Sequence, residues 1–551
     1  MKITLSQLSF HTGNFSTNTK KMINAINEAK KCGSDLIVFA ELATCGYPAR
    51  DFLQFQDFIS LAQKSIIEIA AHCTNIAAIV GSPTVNPVVH GKDLYNSAYF
   101  LVDGKVQHIV NKTLLPNYDI FDENRYFEPG TLHHIITYKN YKIALTICED
   151  LWNINDNPMY IKAPMDVLIS ENPDFIINIA ASPYSKTQIE TRQNVLKINA
   201  LKYQLPVFYV NHVGAQTHLI FDGGSCVVDA TGNIFDELQY FSEDQKTYQL
   251  TVKENLSIDL CDAISTLTGI RNKYADIEIA LTLGIKQYFD KLGFKKAVIG
   301  LSGGIDSALV VYLATKALGP DNVWAVMMPS QYSSEHSVND SLLLAARLGI
   351  KQNIISIEKT FQTLSDTLQP YFKDTPFGLT EENMQSRSRA VILMALANKF
   401  GYILLNTSNK SELAVGYGTL YGDMCGGISV IGDLYKTEIY QLANHINRKE
   451  EIIPVNIINK EPSAELRPDQ KDSDSLPPYD ILDSILFHYI EETKGIQQII
   501  DHGFEPDLVK KILKMVNINE WKRWQAPPVL RVSQKAFGPG RRVPISGKYL
   551  S

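Results

Sequence analysis

Apolar residues follow two different rhythms along this chain. Over the first 250 or so positions, short apolar runs of strand length are separated by segments with helical spacing. Residues 2–9 read as a strand, and Met22, Ile23, Ile26 and Ala29 form a helical stripe. Residues 35–41 read as a buried strand ending in an acid, and residues 76–81, 142–148, 175–180, 207–211 and 225–229 as further strands. Residues 99–110 form a hairpin turning at Asp103-Gly104. Strands mixed with helices and hairpins predict layered sheets covered by helices.

From about residue 274 the pattern becomes a regular strand–helix alternation. A helix over 274–292 leads into an apolar run ending at Gly300, followed by strands at 323–328, 353–357 and 402–406. Helices are expected over 337–348, around 361–372 and over 383–399. This order predicts a parallel, doubly wound sheet that binds ligands above the carboxyl ends of its strands. Between the halves the periodicity fades, with Asp259, Asp262 and Thr268-Gly269 in the gap. The expected division is a first domain over 1–250, a linker over 251–275 and a second domain over 276–551. Residues 460–478, rich in Asp, Ser and Pro, read as a flexible crossing.

At 551 residues the chain exceeds one ordinary core, and 45% hydrophobic with 20% charged residues describes a globular protein. A net charge of −7 offers no general attraction for nucleic acid or an anionic membrane, so neither is an expected partner. Met1-Lys-Ile-Thr-Leu-Ser lacks the apolar core of a secretion signal, and no run of 18 apolar residues suggests a membrane span. The seven cysteines are scattered and never spaced CxxC, which predicts reduced thiols in a cytoplasm. His133-His134 has no third ligand at metal spacing.

The densest chemistry lies in Ala297-Val-Ile-Gly-Leu-Ser302-Gly303-Gly304-Ile-Asp306-Ser307-Ala308. Adjacent glycines let the backbone approach a ligand and turn its N–H groups to a common point, and the helix that follows adds its positive end. Ser302 and Ser307 can donate hydroxyl hydrogen bonds. Asp306 would repel phosphate unless a cation such as Mg²⁺ lay between them. A lone Gly-Gly could equally be a tight turn with a helix cap. The whole string resembles the signature of the ATP pyrophosphatases, which cleave ATP between its α and β phosphates. It lacks the Gly-Lys-Ser/Thr of a Walker A loop.

Three polar residues of the first half sit where strands end: Glu41, Lys112 and Cys148. A carboxylate can take a thiol proton and return it to a leaving amine, while an ammonium favours thiolate and stabilises an oxyanion. Taken singly, a buried cysteine is a small hydrophobe and lone Glu or Lys residues are surface charges. Their surroundings change that reading: Phe39-Ala-Glu41-Leu-Ala-Thr-Cys-Gly-Tyr-Pro48, Lys112-Thr-Leu-Leu-Pro-Asn-Tyr118, Phe121-Asp-Glu123 and Ile147-Cys148-Glu-Asp150. Together they resemble the nitrilase superfamily. The resemblance implies an α-β-β-α sandwich with Glu41 as general base, Lys112 as charge stabiliser and Cys148 as nucleophile. It implies that Glu123 is a second acid, that Tyr118, Phe121, Glu149 and Ser182 shape a glutamine pocket, and that Arg192 meets a substrate carboxylate. Cys45, without such companions, reads as structural.

The second half is similar to the NAD⁺ synthetase domain, of adenine nucleotide α-hydrolase type. The likeness rests on Met328-Pro-Ser-Gln-Tyr-Ser-Ser334, Asn383-Met-Gln-Ser-Arg387-Ser-Arg389, Thr407-Ser-Asn-Lys-Ser-Glu412, residues 416–423 and Asp433-Leu-Tyr-Lys436. It extends to Trp524-Gln-Ala-Pro-Pro and Phe537-Gly-Pro-Gly-Arg-Arg. Preceded by a nitrilase-like domain, this arrangement resembles the glutamine-dependent NAD⁺ synthetases. The resemblance implies that Ser302, Gly303, Gly304, Asp306, Ser307, Arg387 and Thr407 bind ATP, and that Asp306 and Glu412 hold Mg²⁺. Asn383, Arg389, Asp423 and Lys436 would meet deamido-NAD⁺.

The expected reaction adenylates the nicotinate carboxylate with ATP and displaces AMP with ammonia drawn from glutamine. Substrates would be small molecules (deamido-NAD⁺, ATP, and glutamine or ammonia), with a closed passage for ammonia and a homo-oligomer formed through the synthetase half. Two alternatives remain at this point: the same machinery acting on another carboxylate, or a first domain serving only for assembly. No cysteine stands at position 2, which excludes the N-terminal-nucleophile amidotransferases, and no Cys-His-Glu signature is found.

Overall fold

The computed structural model describes residues 1–154, 158–252, 256–261, 271–373, 375–468 and 470–550. The chain divides into two compact units, Met1–Arg271 and Asn272–Ser551.

The first unit holds two mixed sheets. One has seven strands in the order Leu256–Leu260, Asp244–Val252, Lys2–Gln7, Leu36–Val38, Ala77–Val85, Leu94–Val102 and Lys105–Asn111. The other has six, in the order Ile234–Glu237, Cys226–Val228, Val207–Val210, Phe175–Ile179, Tyr141–Ile147 and Ile136–Tyr138. The central strands of each sheet run parallel and the outer ones antiparallel. One continuous core joins inward residues of both sheets, among them Ile3, Leu36, Val38, Ile79, Leu145, Ile177 and Phe208, so the sheets pack face to face. Phe15–Lys31 packs on the first sheet through Met22, Ile26 and Ala29, and its start is capped by the Asn14 side chain. Gln188–Tyr203 lies on the second sheet. The result is the α-β-β-α sandwich.

Two expectations need correction here. The strand expected over 35–41 ends at Val38, because residues beyond it turn tightly around Gly81, whose added Cβ would stand 2.3 Å from Leu42 N. The stretch expected to be a linker instead contributes the strand Leu256–Leu260, paired with Asp244–Val252. Its signal was the alternation Leu256, Ile258, Leu260, with Ile258 and Leu260 packed on the core. Asp262 and Thr268-Gly269 lie outside the described residues.

The second unit is built on five parallel strands in the order Lys351–Ile354, Val323–Met327, Ala297–Gly300, Ile403–Asn406 and Ile428–Ser429. Strand order reverses between Ala297–Gly300 and Ile403–Asn406, which makes the crevice beyond their carboxyl ends the topological switch point. Two neighbouring helices, Lys273–Leu292 and Ile305–Leu318, bury Ile277, Leu281, Leu309 and Leu313. Leu379–Phe400 packs Leu393 and Ala397 against Val298 and Leu404. The strand expected over 353–357 begins and ends earlier, at Lys351–Ile354, an exposed edge whose polar residues hide the period-two signal. A third cluster joins Lys410–Val415 to Tyr479–Ile490 and Pro506–Ile518 through Leu413, Leu482, Leu486, Val509 and Leu513. The crossing expected to be flexible over 460–478 carries the buried residues Asp472 and Leu476, and Tyr479 donates to Asp472.

Candidate functional site

In the first unit, Glu41 follows the parallel strand Leu36–Val38, Cys148 follows Tyr141–Ile147, and Lys112 follows Lys105–Asn111. The sheet ends bring two of the three into direct contact. Lys112 Nζ lies 2.7 Å from Glu41 Oε1 and 2.9 Å from Glu123, and the lysine is wholly buried. Asn96 donates to Glu41 Oε1 at 2.7 Å, and Tyr47 donates to Glu123 Oε1 at 3.0 Å. Burial works against the Lys112 ammonium, but the carboxylates of Glu123 and Glu41 overcome it and hold its pKa well above the ordinary value. Glu41 Oε2 is buried and without a hydrogen-bond partner, an acceptor left open in a site otherwise dense with bonds.

Cys148 has a positive φ of 43° at the start of the short turn Cys148–Leu151. Asp150 holds that turn: its carboxylate accepts from the backbone N–H groups of Thr113, Leu114 and Ile147 at 2.9–3.0 Å, tying the cysteine segment to the lysine segment. Burial, then the charge of Glu41, push the Cys148 thiol well above its usual range, with Lys112 opposing. The resting sulfur is therefore a thiol, and a base must take its proton when it attacks.

Of the expected pocket residues, Tyr118, Phe121 and Glu149 gather around the same turn. Tyr118 donates to Glu149, and its ring meets Phe121 edge-on at 5.5 Å. Ser182 is tied to Asn211 through its backbone and accepts from Gln188 at 3.3 Å. Arg192 is a correction. Expected to meet a substrate carboxylate, it instead forms a buried two-pronged pair with Asp222 at 3.0 and 2.6 Å, so its charge is already neutralised within the fold. Cys45 is fully buried beside Leu42 O and Gly46 O, and burial pushes its thiol up to about 12.

In the second unit the loop after Ala297–Gly300 and the loop after Ile403–Asn406 flank the switch point. Gly303 has φ +83°, and a Cβ there would stand 2.6 Å from Ser337 O, so only glycine fits. Ser307 Oγ donates to Gly304 O at 3.0 Å and lies 3.1 Å from Ser302 Oγ, folding the loop back on the helix start. Asp306 and Glu412 converge on Lys436: its Nζ is 2.5 Å from Asp306 Oδ2 and 3.9 Å from Glu412 Oε1. Burial and the charge of Asp306 push the Glu412 carboxyl well up, against the pull of Lys436. Two carboxylates sharing one ammonium leave acid ligands for a hard cation that takes its other ligands from water or phosphate. Among the described residues no cluster of three or more His, Cys, Asp or Glu forms a complete protein cage for a metal.

The remaining expected residues surround this crevice. Arg387 is exposed and donates to Leu420 O at 3.2 Å, while Arg389 donates to Met328 O at 3.0 Å. Burial lowers Arg389 to about 10. Asn383 accepts from Thr419 Oγ1 at 2.7 Å, and Asp423 accepts from Thr419 N and Ser386 Oγ. Thr407, half-buried, opens the loop that ends in Glu412. Lys436, expected beside the dinucleotide, is here on the two acids.

Sequence reasoning did not single out Asn96 and Tyr47 in the first unit, or Asn409, which donates to Asp306, in the second. Asn409 had a signal, three residues before Glu412 at capping-box spacing. Asn96 had none beyond being an amide inside an apolar strand.

Comparison with known proteins agrees with both halves. The carbon-nitrogen hydrolase family matches residues 2–257, and the NAD synthase family matches residues 278–526. A glutamine-dependent NAD(+) synthetase of Synechocystis is 43% identical, with 99% of this chain and 98% of that protein covered. Its counterpart from Thermotoga maritima is 40% identical over 100% of this chain and 99% of its own length. Among solved structures, the glutamine-dependent NAD+ synthetase of Acinetobacter baumannii in complex with ADP is 38% identical. It aligns with a TM-score of 0.78 over 99% of this chain and 98% of that one.

Proposed function

This chain belongs to the glutamine-dependent NAD⁺ synthetase family, and from that premise we propose how its two sites divide the work. The reaction is ATP, deamido-NAD⁺, glutamine and water going to NAD⁺, glutamate, AMP and pyrophosphate. The observation that carries the first half is the open, buried oxygen of Glu41 in the same pocket as a thiol held protonated.

Glu41 takes the Cys148 proton as the sulfur attacks the glutamine δ-carbonyl, and returns it to the departing ammonia. Lys112, kept cationic by Glu41 and Glu123, stabilises the oxyanion. Water then cleaves the thioester to glutamate, with Glu41 again as base. Tyr118, Phe121, Glu149 and Ser182 bind the substrate.

In the second unit, the Ser302–Ser307 loop offers backbone N–H groups and hydroxyls to the phosphates of ATP, with Arg387 and Thr407 as further contacts. Asn383, Arg389 and Asp423 orient deamido-NAD⁺ so that its carboxylate attacks the α phosphorus. Asp306 and Glu412 fit Mg²⁺, which when bound neutralises phosphate charge. Lys436, released from the acids, turns its ammonium to the phosphates. Ammonia then displaces AMP from the adenylate. Seven cysteines without a CxxC motif support a reducing, cytoplasmic setting.

For self-association through the second unit, the support is exposed apolar side chains on the helix Leu379–Phe400. Val391 and Met394 are 64% and 40% exposed.

Product analysis with deamido-NAD⁺, ATP and either glutamine or ammonium tests the whole assignment. Cys148→Ala should abolish glutamine-driven synthesis and keep the ammonium-driven reaction; loss of both would refute the division of labour.

A further inference from the structure

Glu149 stands directly after the nucleophile and is 4% exposed. Its carboxylate has no cation of its own. Tyr118 donates to Oε1 and Oε2 at 3.1 Å each, and Tyr160 donates to Oε1 at 3.1 Å. Among the described residues no lysine, arginine or histidine pairs with it. The nearby buried ammonium, Lys112, is committed to Glu41 and Glu123. Burial pushes the Glu149 carboxyl up, while Lys112 and the two phenols pull it down. Burial and the same carboxylate push both tyrosines far above their ordinary range, so they remain hydroxyl donors at any working pH.

A buried carboxylate served only by neutral donors is costly unless a cation arrives from outside. The substrate is the remaining source of one. Tyr160 is built to hold the carboxylate ready for it: Tyr160 N donates to Asn153 Oδ1 at 3.1 Å, and Asn153 Nδ2 donates to Tyr160 O at 2.8 Å. Its neighbours Met159 and Ile161 are 68% and 101% exposed, so the phenol turns inward from an otherwise outward-facing stretch.

We propose that Tyr160 is a specificity-determining positioning residue, fixing the Glu149 carboxylate as counter-charge for the α-ammonium of an amino-acid amide. This rests on the reading of the first unit as a glutamine hydrolase. It predicts that the site selects glutamine over amides of the same length that lack the α-amino group, and that the selection passes through Tyr160.

The experiment compares ammonia release from glutamine and from glutaramate, which is glutamine without its amino group, by the full-length chain and its Tyr160→Phe variant. The variant should raise KM for glutamine about tenfold, the loss of one hydrogen bond to a charged group, with kcat within about twofold. Its kcat/KM for glutaramate should not change. Asn153→Ala should shift the preference in the same direction, and retained ammonium-driven synthesis reports that each variant is folded. Parallel losses on both amides, or an unchanged preference in both variants, overturn this inference alone. A wild-type chain that releases no ammonia from glutamine overturns the hydrolase reading and the inference with it.

Discussion

Asn409 Nδ2 donates to Asp306 Oδ1 at 2.9 Å, across 103 positions of sequence. The other end of the same side chain accepts from Glu412 N at 2.9 Å, capping the helix that carries the second acid. One amide thus sets the spacing of both carboxylates. Asn409→Ala is expected to remove a cap worth about 1 kcal/mol. It should also raise the Mg²⁺ needed for half-maximal AMP formation about tenfold, as one charged-group hydrogen bond is lost. A magnesium titration of AMP release checks this, with glutamine hydrolysis as the unaffected control.

Gly303 is fixed by contact as well as by its left-handed backbone, since a Cβ would meet Ser337 O, Cβ and Cα at 2.6–2.8 Å. Gly303→Ala should cost about 1–3 kcal/mol in strain and shift the loop off the phosphates. Synthesis from either nitrogen donor should fall while glutamine hydrolysis persists, which parallel assays of AMP and glutamate will show.

Lys410 is completely buried between Asp433 at 2.9 Å and Glu491 at 2.5 Å, and also donates to Ser533 Oγ. Lys410→Met leaves two acids without their cation and is expected to destabilise the second unit by about 3–5 kcal/mol. Adding Glu491→Leu should restore part of that loss. Denaturant midpoints of the single and double variants measure both effects.

Asp150 gives a pH dependence of defined sign. Burial raises its carboxyl from 3.8 to about 6, against the backbone N–H groups that favour the anion. The folded chain therefore holds this proton more tightly than the unfolded chain. Its contribution to stability is full below about pH 4 and lost as pH rises through about 6, a change of about 3 kcal/mol. In Asp150→Asn that dependence should disappear, although one amide end will face Ile147 N–H and lower stability at every pH. Unfolding curves between pH 4 and 7 separate the two effects.

For Cys148, burial and the Glu41 charge together keep the thiol protonated. Glu41→Gln removes one of those two causes and leaves Lys112 beside the sulfur, so alkylation by iodoacetamide should become faster. Glutamine hydrolysis should fall severely in the same variant, because the base is lost; slower alkylation would show that the Glu41 charge does not hold the thiol proton.

Much of the site was legible because its chemistry is local. Ser302-Gly-Gly-Ile-Asp-Ser307 carries the features of the proposed phosphate loop within six residues, and Ile147-Cys-Glu-Asp150 puts the proposed nucleophile two residues from the acid that holds its turn. The hairpin at Asp103-Gly104 and the helical stripe at Met22, Ile26 and Ala29 were legible for the same reason, since their periods are written in neighbouring residues. Arg192 shows the limit. A helix-borne arginine looks available to a ligand until the fold supplies Asp222, 30 positions away, to neutralise it. The edge strand expected over 353–357 lies at Lys351–Ile354, its bounds displaced because an exposed edge need not alternate.

The sequence alone determined the strand–helix rhythm of each half, and it singled out Gly303 and the candidates Glu41, Lys112, Cys148, Asp306 and Glu412. Residue type and short-range spacing set these, and no distant partner is needed to state them. Tertiary structure decided which charges face one another. Asn96 and Glu123 join Lys112 because antiparallel pairing of Leu94–Val102 with Lys105–Asn111 closes one wall of the pocket. Asn409, Asp306 and Lys436 meet because parallel strands reverse their order at one crevice. Coulomb and hydrogen-bond energies act over a few ångströms of space, and only the folded backbone turns sequence separations of a hundred residues into such distances.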